Sequence, residues 1–286
     1  MVEGSQLLTE QQYKYLDEAV YWPPRQVLIG RQVARTFGPL GEGKLTVDWS
    51  KIAEIGAATM FKGGKVTLPE DIVDLTVGSL DIPALARGFR IPRRSLEASR
   101  TYGTPLDIAV AKSASYQVAL LEDTLVLKGS GGINGLYDSA LNTEAGSTWA
   151  YHATNHTEAN ILIDIRDAMD ELATDNIFPP FNLVLNSAQY LQTYVLVAGT
   201  AVFYRDLARD LIGGQIFQSP AIAAGTAMLL APPDAGFFDL PLGVDIHAEV
   251  EELPLNEFKD LYGVVWEAIT PRIRDANAIC TITGIA

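Results

Sequence analysis

From Gly43 to Pro92 the chain carries strand patterning without the apolar density of a closed core. Leu45, Val47 and Trp49 alternate with polar neighbours, the period-two signature of a strand with one buried face. A return strand is expected over Lys65–Leu68, after a turn at Phe61–Lys65, and Leu75, Val77, Phe89 and Ile91 continue the extended pattern. A segment of this length that cannot bury its own strands needs other surfaces to cover it, and an arm that packs only against other chains reads this way.

The chain beyond the arm differs in kind. Thr104 caps a helix, Pro105 sits at its first position and Asp107 favours the positive end of its dipole. The helix is expected to run through Ile108, Ala111, Ala114, Val118, Leu121 and Leu125 to Lys128, where Gly129 stops it. At 1.5 Å per residue that is roughly 36 Å, a structural spine. Ahead of the arm, Leu8–Gln12 opens a short helix in which Thr9 and Gln12 have capping-box spacing. Its apolar positions are Tyr13, Leu16 and Val20, and Trp22-Pro23-Pro24 breaks it.

Beyond the glycine-rich loop Gly129–Gly135 the pattern is α/β. Thr157 is expected to cap a helix with Ile161, Ile165, Ala168 and Leu172 inside and Asp164, Asp167, Asp170 and Glu171 on its wet face. Phe181–Leu185 reads as a strand, and Ser187 as the cap of a helix reaching Tyr194. A further helix over Phe203–Ile212 precedes strands near Gln215–Gln218, Thr226–Ala231, Val244–Val250, Tyr262–Ile269 and Ala278–Ile282.

Composition removes several classes of function. The 286 residues hold 21 Lys+Arg against 35 Asp+Glu, a net charge of −14, which disfavours a surface that tracks nucleic-acid phosphates. No apolar run reaches the ~20 residues of a membrane helix, and the first residues lack the basic and apolar regions of a secretory signal, so a cytoplasmic protein is expected. Cys280 is the single cysteine, set in an apolar strand pattern, and reads as an inert buried thiol. His152 and His156 stand four apart but in a polar loop rather than on a helix, and no nucleophile elbow or phosphate-binding glycine loop is present. Glu249, Glu251 and Glu252 read as a solvated face, and Glu122-Asp123, beside the spine's apolar face, as a structural or intersubunit contact. No catalytic residue, cofactor or metal site is expected.

Several segments together resemble the encapsulin shell proteins, which share the tailed-phage (Hong Kong 97 type) capsid fold. They are Leu8-Thr9-Glu10-Gln11-Gln12 with Gly30-Arg31 and Gly38-Pro39-Leu40-Gly41; Ser95–Thr101 with Pro105-Leu106-Asp107 and Glu122-Asp123; Gly129 with Gly132–Leu136; and Asp275–Thr281. They occur in family order along nearly the whole chain. The resemblance implies an α+β capsid fold with an N-terminal helix and arm over residues 1–42 and an E-loop over 43–92. A P-domain with the spine helix (93–132), an A-domain (133–250) and C-terminal strands returning to the P-domain (251–286) complete it. By family position, Leu16, Val20, Val27, Ile29 and Arg31 contribute to a groove for a cargo protein's targeting peptide, although Trp22-Pro23-Pro24 falls where the family keeps helix. Val197, Ala198, Gly199 and Thr200 would form a small, uncharged loop facing the five-fold pore.

The function implied is a homo-oligomeric icosahedral shell that encloses cargo enzymes without catalysis of its own. The alternative on the same fold is the major capsid protein of a virus or provirus, which packages DNA.

Overall fold

The computed structural model describes residues 8, 10–21, 28–51, 60, 76–102, 108–149, 160–252 and 260–285. The expected turn at Phe61–Lys65, the strand at Lys65–Leu68, the helix start at Thr104–Asp107, the Thr157 cap, His152, His156 and the Trp22-Pro23-Pro24 break all lie outside them.

The spine helix α4 is preceded by helices α1 (Glu10–Tyr21), α2 (Gly30–Val33) and α3 (Arg93–Tyr102), and itself spans Ala109–Leu127. Its 19 residues correspond to about 28 Å. Ala111, Ala114, Val118 and Leu125 are buried along it, as expected. Lys128 caps it, and Gly129 then turns the chain at φ +106°. A Cβ at Gly129 would stand 2.7 Å from the backbone of Ile133 and Gly135, so only glycine fits the stop. Helix α1 lies on α4, burying Leu16, Ala19 and Val20, and the Ser115 hydroxyl donates to the Val20 carbonyl at 2.5 Å. The Gln12 amide donates to Ser99 of α3 at 3.2 Å, a long-range bond that capping-box spacing does not announce.

Two five-stranded sheets organise the remainder. The strands before α4 are β1 (Arg35–Phe37), β2 (Thr46–Lys51), β3 (Thr76–Asp81) and β4 (Ala84–Ile91). After it come the hairpin β5–β6 (Gly129–Ser130, Ile133–Asn134), α5 (Leu136–Ser139), β7 (Asn142–Ala145), α6 (Asn160–Thr174) and β8 (Asn182–Leu185). Next are α7 (Ser187–Gln192), α8 (Tyr204–Ile212), β9 (Ile216–Gln218), β10 (Thr226–Leu230), β11 (Phe238–Glu252), β12 (Leu261–Ile269), β13 (Arg272–Ile273) and β14 (Ile279–Thr283). The first sheet has the order β1-β11-β12-β4 with β13 also on β11, and α4 packs against β4 and β12. The second has the order β7-β14-β10-β8-β9, with α6 against β7 and β14.

Where apolar periodicity is strong, the elements match it. Ile161, Ile165, Ala168 and Leu172 of α6 are fully buried, and all four residues of β8 are inside. Three expectations change. Asp164, read as part of the wet face of α6, is buried and accepts from Ser147 N at 2.7 Å, Ser147 Oγ at 3.0 Å and Trp149 Nε1 at 2.7 Å. The cap of α7 is Asn186 rather than Ser187, its side chain accepting from Ala188 N at 2.9 Å. And β4 belongs to the first sheet, where Leu85, Phe89 and Ile91 enter the core, so the end of the arm-like stretch is ordinary buried strand.

The described part of the arm is the ribbon β2–β3. Its strands pair antiparallel with each other, Val47 opposite Leu80 and Trp49 opposite Gly78. Trp49 lies across that glycine, whose missing side chain makes room for the indole: a Cβ there would stand 2.8 Å from Trp49 Nε1.

Candidate functional site

The N-terminal segment, the spine helix and the first sheet meet at Arg31. Its guanidinium donates to both oxygens of Glu122 (Nε–Oε1 2.6 Å, Nη2–Oε2 3.0 Å), to Asp245 Oδ1 at 2.7 Å and to Glu267 Oε2 at 2.8 Å. The Glu122 and Glu267 side chains are wholly enclosed. The planar fork of arginine suits this task, since it serves several carboxylates at once from one charge. Beside it, Gly30 N donates to Asp123 Oδ1 at 2.7 Å and Ser219 Oγ to Asp123 Oδ2 at 2.7 Å. Gly30 itself stands close against Val126, where a Cβ would come within 2.8 Å of the valine side chain.

The cluster holds more acids than one arginine neutralises, and its titration reflects that. Burial pushes the Asp123 carboxyl up to about 6, against the opposing pull of its hydrogen bonds. Burial, and then the neighbouring Glu122, raise the Glu267 carboxyl well above the usual range, with Arg31 pulling the other way. Glu267 Oε1 meets no donor among the described residues. A proton held on Glu267 therefore satisfies the pair better than two anions do. Burial also works against the Arg31 guanidinium, but Glu122, Asp245 and Glu267 outweigh it and keep it charged. Glu122-Asp123 is thus an intrachain anchor.

The family-placed groove residues divide. Leu16 and Val20 are each 1% exposed and belong to the core between α1 and α4, so they line no open groove. Val27 lies outside the described residues. Ile29 is half-buried and packs on the core, and Arg31 is committed to the acids. The open surface beside α1 is instead a cleft of about 350 Å³ lined by Tyr15, Glu18, Ala19, Ile108 and Lys112. Its α1 positions flank Leu16 and Val20 on the neighbouring helical face, so sequence periodicity identifies the helix but ranks its inner stripe above its outer one.

Val197, Ala198, Gly199 and Thr200 form a tight turn, with Val197 N donating to Val202 O at 2.8 Å and Thr200 N to Val197 O at 3.0 Å. Ala198, Gly199 and Thr200 are exposed, and an isolated bridge joins Leu196 to Phe203 at its base. Rings of Tyr190, Tyr194 and Phe203 stand edge to face behind the turn, with the Arg205 guanidinium over both tyrosines. Leu191, Leu196, Val202 and Phe203 present apolar side chains to the outside. Cys280 is fully buried, and burial pushes its thiol up to about 12, which leaves it no thiolate to react with.

A family model described as "Encapsulating protein for peroxidase" (Linocin_M18) matches residues 4–253. The chain belongs to the encapsulin shell-protein family. It is 25% identical over 277 residues to the type 1 encapsulin shell protein EncA of Myxococcus xanthus (strain DK1622), covering 97% of this chain and 94% of that one. Among solved structures, the virus-like particle from Pyrococcus furiosus superposes with a TM-score of 0.70 at 19% identity, over 94% of this chain and 98% of that chain. The capsid of Myoviridae phage XM1 gives 0.65 at 12% identity, covering 91% and 92%. The fold is therefore the tailed-phage capsid fold, and this encapsulin is a self-assembling structural shell protein rather than an enzyme. No described helix is long and apolar enough to cross a membrane.

Proposed function

We propose that this encapsulin closes into an icosahedral compartment in the cytoplasm and encloses cargo proteins held through a targeting peptide. In this reading the ribbon β2–β3 is the reaching part of the E-loop placed over residues 43–92, whose last strand β4 stays in the first sheet, and it extends onto neighbouring subunits. Residues 1–42 form the N-terminal helix and arm, and 93–132 with 251–286 form the P-domain. The A-domain of residues 133–250 carries the turn at Val197–Thr200 toward the five-fold axis. The ribbon carries the proposal: its two strands pair only with each other among the described residues, leaving both outer edges open in a chain whose family builds shells. Unpaired edges and exposed apolar side chains such as Leu191 and Leu196 are liabilities in a monomer and interface in an assembly. Obligate interfaces of this kind bury over roughly 2,000 Å² per pair.

For the cargo peptide, the cleft of Tyr15, Glu18, Ala19, Ile108 and Lys112 replaces the buried Leu16 and Val20 as the contact surface beside α1. It offers an aromatic wall with one acid and one base, suited to a short peptide with an apolar anchor.

Negative-stain microscopy and light scattering of the purified chain test the assembly. Closed particles of megadalton mass are the expected result, and a folded monomer ends the proposal. Particle contents test the second half: co-purifying protein supports cargo enclosure, whereas nuclease-protected DNA assigns the chain to a capsid of the phage type.

A further inference from the structure

His247 and Glu249 stand two residues apart on β11, so both side chains leave the same face of the strand. Facing them is Glu42, at the turn between β1 and β2. That turn is fixed to β11 by its backbone, Leu40 N donating to Leu242 O at 2.8 Å and Gly41 N to Gly243 O at 2.9 Å. One ligand-capable atom from each of Glu42, His247 and Glu249 lies within 4.8 Å of the others.

The imidazole's surroundings fix its tautomer. Nδ1 lies 2.9 Å from the Asp245 carbonyl oxygen, which can only accept, so Nδ1 carries a hydrogen. Nε2 lies 3.1 Å from Glu249 Oε1, and that oxygen already accepts Trp266 Nε1–H at 3.0 Å. A neutral ring therefore aims its Nε2 lone pair at an anion. A cation bound there turns two opposed acceptors into two ligands of one ion. Both ligands are oriented beforehand: the Trp266 ring packs against the imidazole with centroids 4.7 Å apart, and its N–H holds the carboxylate. Donation from the far ring nitrogen to a carbonyl is the arrangement that ligating histidines usually have.

The geometry points to a site for a divalent first-row metal ion of the zinc class, held by His247 Nε2 and the carboxylates of Glu249 and Glu42. One imidazole and two carboxylates suit zinc-like ions better than magnesium or calcium, which prefer all-oxygen shells. Water fills the fourth position. A proton on Nε2 also reconciles the His247–Glu249 pair, with one positive charge, but gives Glu42 no part, which separates the two accounts. The metal ties the root of the β2–β3 ribbon to the first sheet.

The test is a titration of the intact, chelator-stripped protein with Co²⁺ as an optical probe, followed by displacement with Zn²⁺. One Co²⁺ per chain with tetrahedral absorption is expected, lost on adding Zn²⁺ and retained in excess Mg²⁺ or Ca²⁺. His247→Ala abolishes it, and Glu42→Gln and Trp266→Phe each weaken it by roughly tenfold or more. Unchanged melting of the metal-free variants shows that they fold. A wild-type protein that takes up no Co²⁺, or binding that survives His247→Ala, or binding indifferent to Glu42→Gln, overturns the proposal.

Discussion

Arg31 and Glu122 stand 91 residues apart in sequence and are joined by two hydrogen bonds of 2.6 and 3.0 Å, with the glutamate side chain wholly enclosed. The pair fastens the segment leading into the arm to the spine helix. The same guanidinium reaches Glu267, so β12 is tied in as well.

Removing that one cation strands several acids. Arg31→Met leaves the enclosed Glu122 without a counter-charge and Glu267 without its donor, a change expected to cost about 3–5 kcal/mol. Denaturant unfolding of the variant checks this. Arg31→Lys recovers only part of the loss, because an ammonium lacks the fork that serves several carboxylates. A midpoint equal to the wild type contradicts the assignment.

Acidity of the cluster has a definite sign. The Asp123 carboxyl is raised from 3.8 to about 6, so below 3.8 it is protonated in both folded and unfolded chains. Between those values the unfolded chain has released the proton that the folded one keeps. Stability from this group is thus fully present at low pH and lost as pH rises through about 6. Glu267 acts with the same sign. Asp123→Asn and Glu267→Gln are therefore expected to flatten the fall in unfolding midpoint as pH rises toward neutrality, relative to wild type. The check is the difference between variant and wild-type curves over a pH series, and parallel curves count against it.

Gly263 of β12 faces Phe89 of β4, and a Cβ there would fall 2.1 Å from the ring. Phe89 is itself buried in the core. Gly263→Ala is expected to lower stability by about 1–3 kcal/mol through overpacking. Thermal unfolding measures it, and Phe89→Leu in the same background restores part of the loss.

Trp49 gives a test specific to the arm. Trp49→Glu places a charge on the ribbon beside Gly78, at a position that pairs with neither five-stranded sheet but borders a cleft shared with Ile133 and Ile273. Particle yield is expected to fall while circular dichroism of the dissociated chain stays unchanged. Normal particles at normal yield contradict the role given to the ribbon.

The elements legible in the sequence are those whose burial is periodic and local. Ile161, Ile165, Ala168 and Leu172 mark α6, because one face of it is inside, and the aromatic and β-branched run Tyr262–Ile269 marks β12 as strand but not its inner face, which holds Gly263 and Glu267. Buried polar residues cannot be read this way. Asp164 stands at i+3 from Ile161 and i−4 from Ala168, so the helix period places it on the inner stripe. Its charge alone marks it as wet, and the partners that satisfy it there, Ser147 and Trp149, are not encoded by the period. Glu122-Asp123 stands out as charge beside an apolar stripe, yet its partners Arg31, Gly30 and Ser219 come from other parts of the chain. Likewise, the extended pattern at Phe89 and Ile91 is visible, but not that their partner strand is β12. At the cleft, periodicity alone does not distinguish the face of α1 that meets α4 from the face beside it.

Strand β14 lies between β7 and β10, at the interior of the second sheet, although it is made after every other strand in that sheet. A ribosome must therefore pass Thr283 before β7 and β10 gain the neighbour that separates them. Chains broken off earlier carry two raw strand margins, on β7 and on β10, that the finished sheet has covered, and proteases can tell the two apart before either is built into a wall.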